Sequence, residues 1–96
     1  MSGLVFEWDT KKAASNLRKH RASFDEAVTV FADPLGTIHD DPDHSEDEHR
    51  ELLVGHSSSG QLLIVSFTDL PKSVRIISAR RATRQERRDH EETVQE

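Results

Sequence analysis

The stretch Val74-Arg75-Ile76-Ile77-Ser78-Ala79-Arg80-Arg81-Ala82-Thr83 changes character halfway along its length. Its first half is rich in branched apolar residues, which are typical of a β-strand. Its second half holds paired arginines and then Thr83, a residue type that caps helix N-termini. Residues 72–88 contain seven basic residues and one acidic residue, a formal charge of +6 in a chain whose net charge is −5. A basic strand-to-helix junction in an acidic protein predicts a polyanion or an acidic protein as its partner.

The composition indicates one small domain over residues 1–96. The 96 residues are 33% apolar and 32% charged, which predicts a single thin core. Cysteine is absent from the sequence, and this excludes disulfides, thiolate nucleophiles and zinc–thiolate sites. The N-terminus lacks the basic start and long apolar run of a signal peptide, and no segment reaches membrane-spanning length. We therefore expect a cytoplasmic protein that makes no contact with a membrane.

The acidic charge is concentrated in residues 33–51, which hold eight acidic residues and one arginine. The rest of the chain has a small positive charge, so the acidic net charge describes only part of the molecule. Nucleic-acid binding therefore remains compatible with the composition.

Two helices are predicted in the first third of the chain, after a short strand at Leu4-Val5-Phe6. Asp9 is a candidate N-cap for a helix that runs to about His20. Ser23 and Glu26 have the spacing of a capping box for a second helix. The second helix has apolar residues at the i, i+3, i+4 and i+7 positions of a core-facing stripe. These are Phe24, Ala27, Val28 and Phe31.

The following segments predict a β-sheet. Short strands are expected at residues 37–39 and 50–55, and the strongest strand at residues 61–68, whose apolar residues on both faces favour the centre of the sheet. Short turns then lead into the strand at residues 74–79, which makes an antiparallel meander. The predicted fold class is α+β, with this meander packed against the two N-terminal helices.

A third helix is expected to close the fold. Thr83 and Glu86 form another capping box, and the helix they begin, to about Thr93, has almost no apolar face. Such a helix is either loosely attached or docked on another molecule. We expect residues 90–96 to form a flexible tail.

Arg75 is a candidate for binding phosphate, because a guanidinium in an apolar strand needs a carboxylate or a phosphate partner. Arg80 is a second candidate, because it lies where the strand meets a helix N-terminus, whose free N–H groups favour an anion. The structural alternatives are ion pairs with Glu48 or Asp69 for Arg75, and with Glu7 or Glu48 for Arg80. Strict alternation along the strand would place Arg80 on the face opposite Arg75. Their convergence would require a bulge or a bend.

The segment from His39 to His49 combines histidines and carboxylates, which are residue types that bind divalent metals. Its spacing matches no metal motif, since it has neither the EF-hand glycine nor a His-Glu-x-x-His pattern. We therefore predict a solvated or partner-facing acidic loop, with no metal and no cofactor. The metal alternative would use His39, Asp41 and His44.

Three sequence blocks, taken together, are similar to a known family. The first block is Phe6-Glu7-Trp8-Asp9, Lys12, Asn16, Lys19-His20 and Ser23-Phe24-Asp25-Glu26-Ala27. The second block is His44-Ser45, Glu48, Arg50 and Gly55. The third block is Gly60, Leu62-Leu63-Ile64-Val65, Arg75-Ile76-Ile77-Ser78-Ala79-Arg80, Thr83 and Glu86-Arg87. Their order and spacing resemble the BrnT family of type II toxins, small RelE-like ribonucleases that pair with a BrnA antitoxin. Many members have an aromatic residue where this chain has His90.

The resemblance implies a RelE-like fold and metal-independent RNA cleavage that arrests translation. It also implies a small antitoxin with a ribbon-helix-helix DNA-binding part. Toxin and antitoxin would form a hetero-oligomeric complex that represses its own operon by binding operator DNA.

Ribonucleolytic transfer without a metal needs a base for the 2′-hydroxyl, an acid for the leaving oxygen and cations for the phosphate. Arg75 and Arg80 are the candidates for stabilising the phosphate. Glu48 or His20 is the candidate base, with His49 as a reserve. The candidates for binding RNA are Lys19, Arg50, Arg81 and Arg84.

Two further readings stay open. His20 lies on the predicted apolar side of its helix, which favours a packed, hydrogen-bonded histidine. The whole protein could also be a non-enzymatic regulatory module whose basic strand-helix corner docks an acidic protein partner. RNA cleavage by the purified protein separates that module from an enzyme.

Overall fold

The computed structural model describes residues 3–41 and 49–95 of the chain. Within these ranges, five strands form one sheet and three helices pack on it, so the α+β prediction is confirmed. The elements in chain order are β1 (Phe6–Glu7), α1 (Thr10–His20), α2 (Phe24–Val30), β2 (Thr37–Asp40), β3 (Glu51–His56), β4 (Leu62–Asp69), β5 (Val74–Arg81) and α3 (Arg84–Gln95). Most of the predicted acidic loop lies outside the described residues.

The strands lie across the sheet in the order β1-β5-β4-β3-β2. Strands β2 to β5 form the predicted antiparallel meander, with β4 at the centre. The sheet as a whole is mixed, because β1 pairs with β5 in parallel, with Phe6 opposite Val74 and Glu7 opposite Arg75. A parallel pair needs a long crossover connection, and the two N-terminal helices and the three intervening strands supply it.

Helix α1 begins where the sequence predicts. Asp9 Oδ1 accepts hydrogen bonds from the backbone N–H groups of Lys11 at 2.8 Å and of Lys12 at 3.2 Å. These bonds satisfy two of the free N–H groups of the first turn. The helix ends at Arg21, whose φ of 55° is left-handed and whose N–H donates to the carbonyl oxygen of Leu17. This abrupt end lets the chain enter α2 after three residues.

Helix α2 is anchored to the turn between β3 and β4. Ser23 Oγ accepts from the N–H of Glu26 at 2.9 Å, which is one half of the predicted capping box. The Glu26 carboxylate instead accepts hydrogen bonds from the hydroxyls of Ser57 and Ser59, each at 2.7 Å. These bonds lower the pKa of Glu26, so the carboxylate stays charged and holds the turn against the helix.

Each face of the sheet buries its own cluster of side chains, because residues alternate along a strand. Helices α1 and α2 cover one face, which we call the helix-pair face. Its buried strand residues are Leu53, Leu63, Val65, Phe67, Val74, Ile76 and Ala79. Helix α3 lies over the opposite face, which we call the α3 face. Its buried apolar residues are Val54, Leu62 and Ile64.

Helix α3 begins with the predicted capping box in both directions. The N–H of Glu86 donates to Thr83 Oγ1 at 3.1 Å, and the N–H of Thr83 donates to Glu86 Oε1 at 2.9 Å. The helix continues to Gln95, so most of the expected tail is helical; its flexibility stays a prediction. Among residues 3–41 and 49–95, no helix combines the length and apolar character needed to cross a bilayer.

Candidate active site

Strand β5 contains a bulge. Phe67 of β4 pairs with Ile76, whereas the preceding Ser66 pairs with Ser78, so Ile77 is an extra residue. An inserted residue of this kind reverses the alternation of the side chains that follow it.

The bulge places Arg75 and Arg80 on the α3 face. Strand β5 contributes Val74, Ile76 and Ala79 to the core of the helix-pair face. Arg75 lies before Ile77 and Arg80 lies after Ala79, so both arginines point to the other side of the sheet. Strict alternation does not hold along β5, and the bulge that convergence of Arg75 and Arg80 required is present. Arg81 turns to the helix-pair side, where its charge interacts with Glu26.

Arg80 lines a polar groove of about 440 Å³ between the sheet and the start of α3. The groove contains two cations, two carboxylates, two hydroxyls and three apolar side chains. These are Arg50 and Arg80, Asp41 and Glu86, Ser66 and Ser78, and Leu52, Ile64 and Ile77. Of the predicted site residues, Arg50 and Arg80 meet here.

A larger cavity of about 730 Å³ lies beside α2, but its lining is mainly apolar and includes Leu4, Phe6 and Val28. It contains none of the predicted site residues. Because phosphate chemistry requires cations, we place the candidate site in the polar groove and not in this larger cavity.

Arg80 forms a two-point ion pair with Glu86. Its Nη1 donates to Glu86 Oε1 at 2.7 Å and its Nη2 donates to Oε2 at 2.8 Å. Bonds from Arg80 and from the backbone of Thr83 lower the pKa of Glu86 to about 2, and the same pair raises the pKa of Arg80. The expected partner Glu7 is wrong, and Glu48 lies outside the described residues. The sequence does contain a signal for the Arg80–Glu86 pair. Glu86 is the second residue of the Thr83 capping box, so its carboxylate points back towards the end of β5, where Arg80 lies.

Arg75 pairs with Glu7 at the edge of the sheet. Its Nε and Nη2 donate to Glu7 Oε2 at 3.0 and 2.9 Å, and Ser73 Oγ donates to Oε1 at 2.7 Å. The bonds from Ser73 and Arg75 lower the pKa of Glu7. The expected partner Asp69 is therefore wrong, because the parallel pairing of β1 brings Glu7 directly opposite Arg75. Arg75 shares the face of the groove but does not line it.

The second cation of the groove lies beside Asp41. Arg50 is half-buried, and its carbonyl oxygen accepts from the N–H of Asp41 at 3.1 Å. Asp41 is buried, and its Oδ2 accepts a hydrogen bond from Ser66 Oγ at 3.3 Å. Asp41 was predicted in a solvated or partner-facing acidic loop, with a metal ligand as the alternative. A solvated position is wrong for this residue, because its side chain is buried beside Ser66 of β4.

His20 and Lys19 lie far along α1 on the helix-pair side, and both are exposed. The expectation of a packed His20 is wrong, because the buried side of α1 carries Asn16, while Leu17 is 50% exposed. The helix is rotated from the predicted stripe, so its histidine points to solvent. Arg84 is exposed in the first turn of α3.

His90 is packed beneath α3. It is 5% exposed, and within the described part of the chain its Nδ1 has no hydrogen-bond partner. Burial, with a smaller effect from His56, lowers the pKa of His90, which favours a neutral ring. The ring lines a pocket between α3 and the sheet with Leu52, Val54 and Ile64.

Asp40, His49 and Glu51 place one ligand atom each within 4.8 Å of one another. None of these residues belongs to the set that the sequence suggested as metal ligands, His39, Asp41 and His44. Of that set, His44 lies outside the described residues. Asp40 and His49 are exposed, and exposed acidic groups often lie together without an ion. We assign no metal to them.

The sequence of residues 8–86 matches the family described as "Ribonuclease toxin, BrnT, of type II toxin-antitoxin system". The match spans most of the chain and includes all of the groove residues. The chain belongs to the BrnT family. The resemblance carried by the three sequence blocks is therefore confirmed, and this BrnT-family protein is a ribonuclease toxin of a type II toxin–antitoxin system.

The crystal structure of the Brucella abortus ribonuclease toxin BrnT is similar to this chain, with a TM-score of 0.62 and 19% sequence identity. The similarity covers 85% of this chain and 100% of that chain. At this identity the match supports the fold alone. No curated protein matches the sequence. The RelE-like detail of the fold stays a prediction.

We expect Glu86→Gln to destabilise the BrnT-family protein at neutral pH and not at strongly acid pH. The pKa of Glu86 falls from 4.5 to about 2 on folding, so its contribution is complete above pH 4.5 and is lost as the pH falls towards 2. With the side chain 33% exposed, solvent screening limits the loss in free energy of unfolding at pH 7 to about 1–2 kcal/mol.

Urea denaturation of the wild type and of Glu86→Gln at pH 7, 4 and 2.5 measures this loss. Glu92→Gln, on the exposed side of the same helix, is the matched control. A stability difference for Glu86→Gln that stays constant over this pH range would contradict the proposed role of the ion pair.

Proposed function

We propose that this BrnT-family toxin is a metal-independent endoribonuclease that binds the scissile phosphate in the groove and inhibits translation by cleaving RNA. The observation that carries this proposal is the orientation of Arg80. Its guanidinium is fixed by Glu86 at the junction of β5 and α3, where helix N–H groups favour an anion.

The Arg80–Glu86 pair leaves part of the guanidinium for a ligand. Arg80 donates to Glu86 through Nη1 and Nη2, and Nη1 also reaches the carbonyl oxygen of Arg81 at 3.4 Å. These bonds use three of its five N–H groups. Within the described residues, Nε and the second N–H of Nη2 therefore form an edge that can donate two parallel bonds to phosphate. Glu86 orients this edge instead of blocking it.

The reaction needs stabilisation of negative charge on phosphorus. When the 2′-oxygen attacks, the phosphate oxygens gain charge, and the guanidinium groups of Arg80 and Arg50 are the groove cations that can stabilise it. Arg75 has a structural role at the sheet edge in this structure; a direct role in catalysis stays a prediction.

The base is not assigned to a described residue. Glu86 has a pKa of about 2, which makes it a weak proton acceptor near neutral pH. His20 is exposed on α1, on the side away from the groove, so the geometry does not support it. Glu48 stays the candidate base.

We further propose that a small antitoxin with a ribbon-helix-helix DNA-binding part neutralises this toxin in the cytoplasm. Arg84, Arg87 and Arg88 are exposed on α3, and they give a basic surface next to the groove that an acidic segment of the antitoxin can cover. The complex would bind operator DNA through the antitoxin.

Arg80→Ala should reduce RNA cleavage by about 10²–10³-fold, by analogy with the loss of one oxyanion donor, and abolish growth inhibition. Arg80→Lys should recover little activity, because an ammonium group cannot form the two-point contact. Arg88→Ala, a change of an exposed arginine outside the groove, should keep most of the activity.

Circular dichroism and thermal unfolding of each variant provide the control for folding. A folded Arg80→Ala protein that cleaves RNA at the wild-type rate would refute the assignment, and so would an Arg80→Ala protein that does not fold. A folded wild type that binds an antitoxin but cleaves no RNA would favour the non-enzymatic module.

EDTA should leave the thermal stability and RNA cleavage of the protein unchanged, because arginines supply the charge stabilisation that a metal would otherwise provide. The assay compares untreated, EDTA-treated and metal-supplemented protein. Loss of cleavage in EDTA with rescue by one divalent ion would contradict metal independence and direct attention to Asp40, His49 and Glu51.

Co-expression with the product of the adjacent gene should give a stable complex on size exclusion that no longer cleaves RNA, since a bound antitoxin covers the basic surface. A toxin that elutes alone after co-expression, or that keeps full activity in the complex, would contradict the proposed partner.

A further inference from the structure

The side chain of Asn16 is buried in the middle of α1, with 7% exposure. Its carboxamide forms three hydrogen bonds with backbone groups. Oδ1 accepts from the N–H of Ala79 at 3.1 Å, while Nδ2 donates to the carbonyl oxygens of Ala79 at 2.7 Å and of Ala22 at 2.9 Å. The acceptor and both donors of the amide are thus used on fixed backbone atoms.

The contact with Ala79 replaces a missing strand. Strand β1 pairs with β5 only at Val74 and Arg75, so the outer edge of β5 has no strand beside Ala79 within the described residues. Asn16 binds both the N–H and the C=O of Ala79, as a neighbouring strand would. The amide therefore completes the sheet at this one residue.

Ala79 lies between the bulge at Ile77 and the groove residue Arg80. A bulge leaves one residue unpaired, disrupts the ladder locally and bends the strand. The two bonds from Asn16 hold the backbone immediately before Arg80, and this backbone sets the direction of the Arg80 side chain. The bond to Ala22, which is 1% exposed, joins the same amide to the α1–α2 connection.

We propose that Asn16 is a positioning residue for the phosphate-binding arginine, holding Arg80 in the groove through the backbone of Ala79 from the opposite side of the sheet. The identity of the ligand that Arg80 binds rests on the proposed function, whereas the position of Arg80 in the groove does not. An amide is needed here because aspartate keeps the acceptor and loses both donors, and an apolar residue would leave the Ala79 groups unpaired.

The test compares Asn16→Ala with Val30→Ala. Val30 is a fully buried residue of α2 that belongs to the same core but has no hydrogen bond to β5, so Val30→Ala controls for a general loss of stability. Both are measured at a temperature where thermal unfolding shows them to be folded. Asn16→Asp serves as a second variant with nearly the same shape, and it replaces Asn16→Ala if that variant does not fold.

The first measurement is the pKa of the Glu86 carboxyl, followed by carbon NMR. In the wild type, contact with Arg80 holds this pKa at about 2. If Asn16 positions Arg80, the pKa of Glu86 should rise towards 4.5 in Asn16→Ala and stay low in Val30→Ala. An unchanged pKa of Glu86 in folded Asn16→Ala and Asn16→Asp overturns the proposal, as does an equal rise in Val30→Ala.

The second measurement is the cleavage of a mixed-sequence single-stranded RNA. Misplacement of a catalytic group by about 1 Å can reduce a rate about 100-fold, so we expect a loss of this order in kcat for Asn16→Ala and little loss for Val30→Ala. Combining Asn16→Ala with Arg80→Ala should be no worse than Arg80→Ala alone, because residues that act through one another are not additive. Additive losses in the double variant would overturn the proposal.

The two measurements distinguish a failure of the proposed function from a failure of the inference on Asn16. If the wild type cleaves no RNA, the proposed function fails, while the Glu86 pKa still decides whether Asn16 positions Arg80. If the wild type cleaves RNA and the pKa does not move, the inference on Asn16 fails alone.

Discussion

The extra residue that β5 carries at Ile77 decides which side chains the two faces of the sheet receive. Without it, Arg80 would point into the apolar core between the sheet and the helix pair, where burial of a guanidinium is costly. With it, Ala79 fills the core and Arg80 enters the groove. This one-residue change of register thus places the buried apolar side chains of β5 on the helix-pair face and Arg80 on the α3 face.

Ion pairs stabilise the arginines that β5 places on the α3 face. Each arginine of β5 on the α3 face has a carboxylate partner, Glu7 for Arg75 and Glu86 for Arg80. The first pair ties the parallel edge strand to the sheet, and the second fixes the start of α3 over the groove. One pair therefore completes the fold and the other shapes the site, although the two arginines look equivalent in the sequence.

Features set by neighbouring residues were predictable from the sequence. The caps at Asp9 and Thr83 depend on contacts within a few residues, and the central position of β4 follows from its apolar residues alone. The bulge was not predictable, because Ile77 is as apolar as its neighbour and only pairing with β4 shows that it is extra.

Contacts between residues that are distant in the sequence were also not predictable. The rotation of α1 that buries Asn16 and exposes His20 depends on where β5 lies, and Ala79 of β5 is 63 positions from Asn16 in the chain. The same holds for the pairing of Glu7 with Arg75. The groove cations Arg50 and Arg80 were identified from the sequence as candidate site residues. The place of Asp41 in the groove required the three-dimensional fold, whereas that of Glu86 is implied by the Thr83 capping box.

The parallel pairing of β1 with β5 also affects how the protein folds. Glu7 and Arg75 are 68 positions apart, and Asn16 and Ala79 are 63 apart. Contacts with such separations close late, because the entropy of the intervening loop is lost before they form. During synthesis, the residues before β5 leave the ribosome without the strand that holds Arg80. The groove is therefore among the last parts of the molecule to assemble, because it forms only after β5 has paired with β4 and β1.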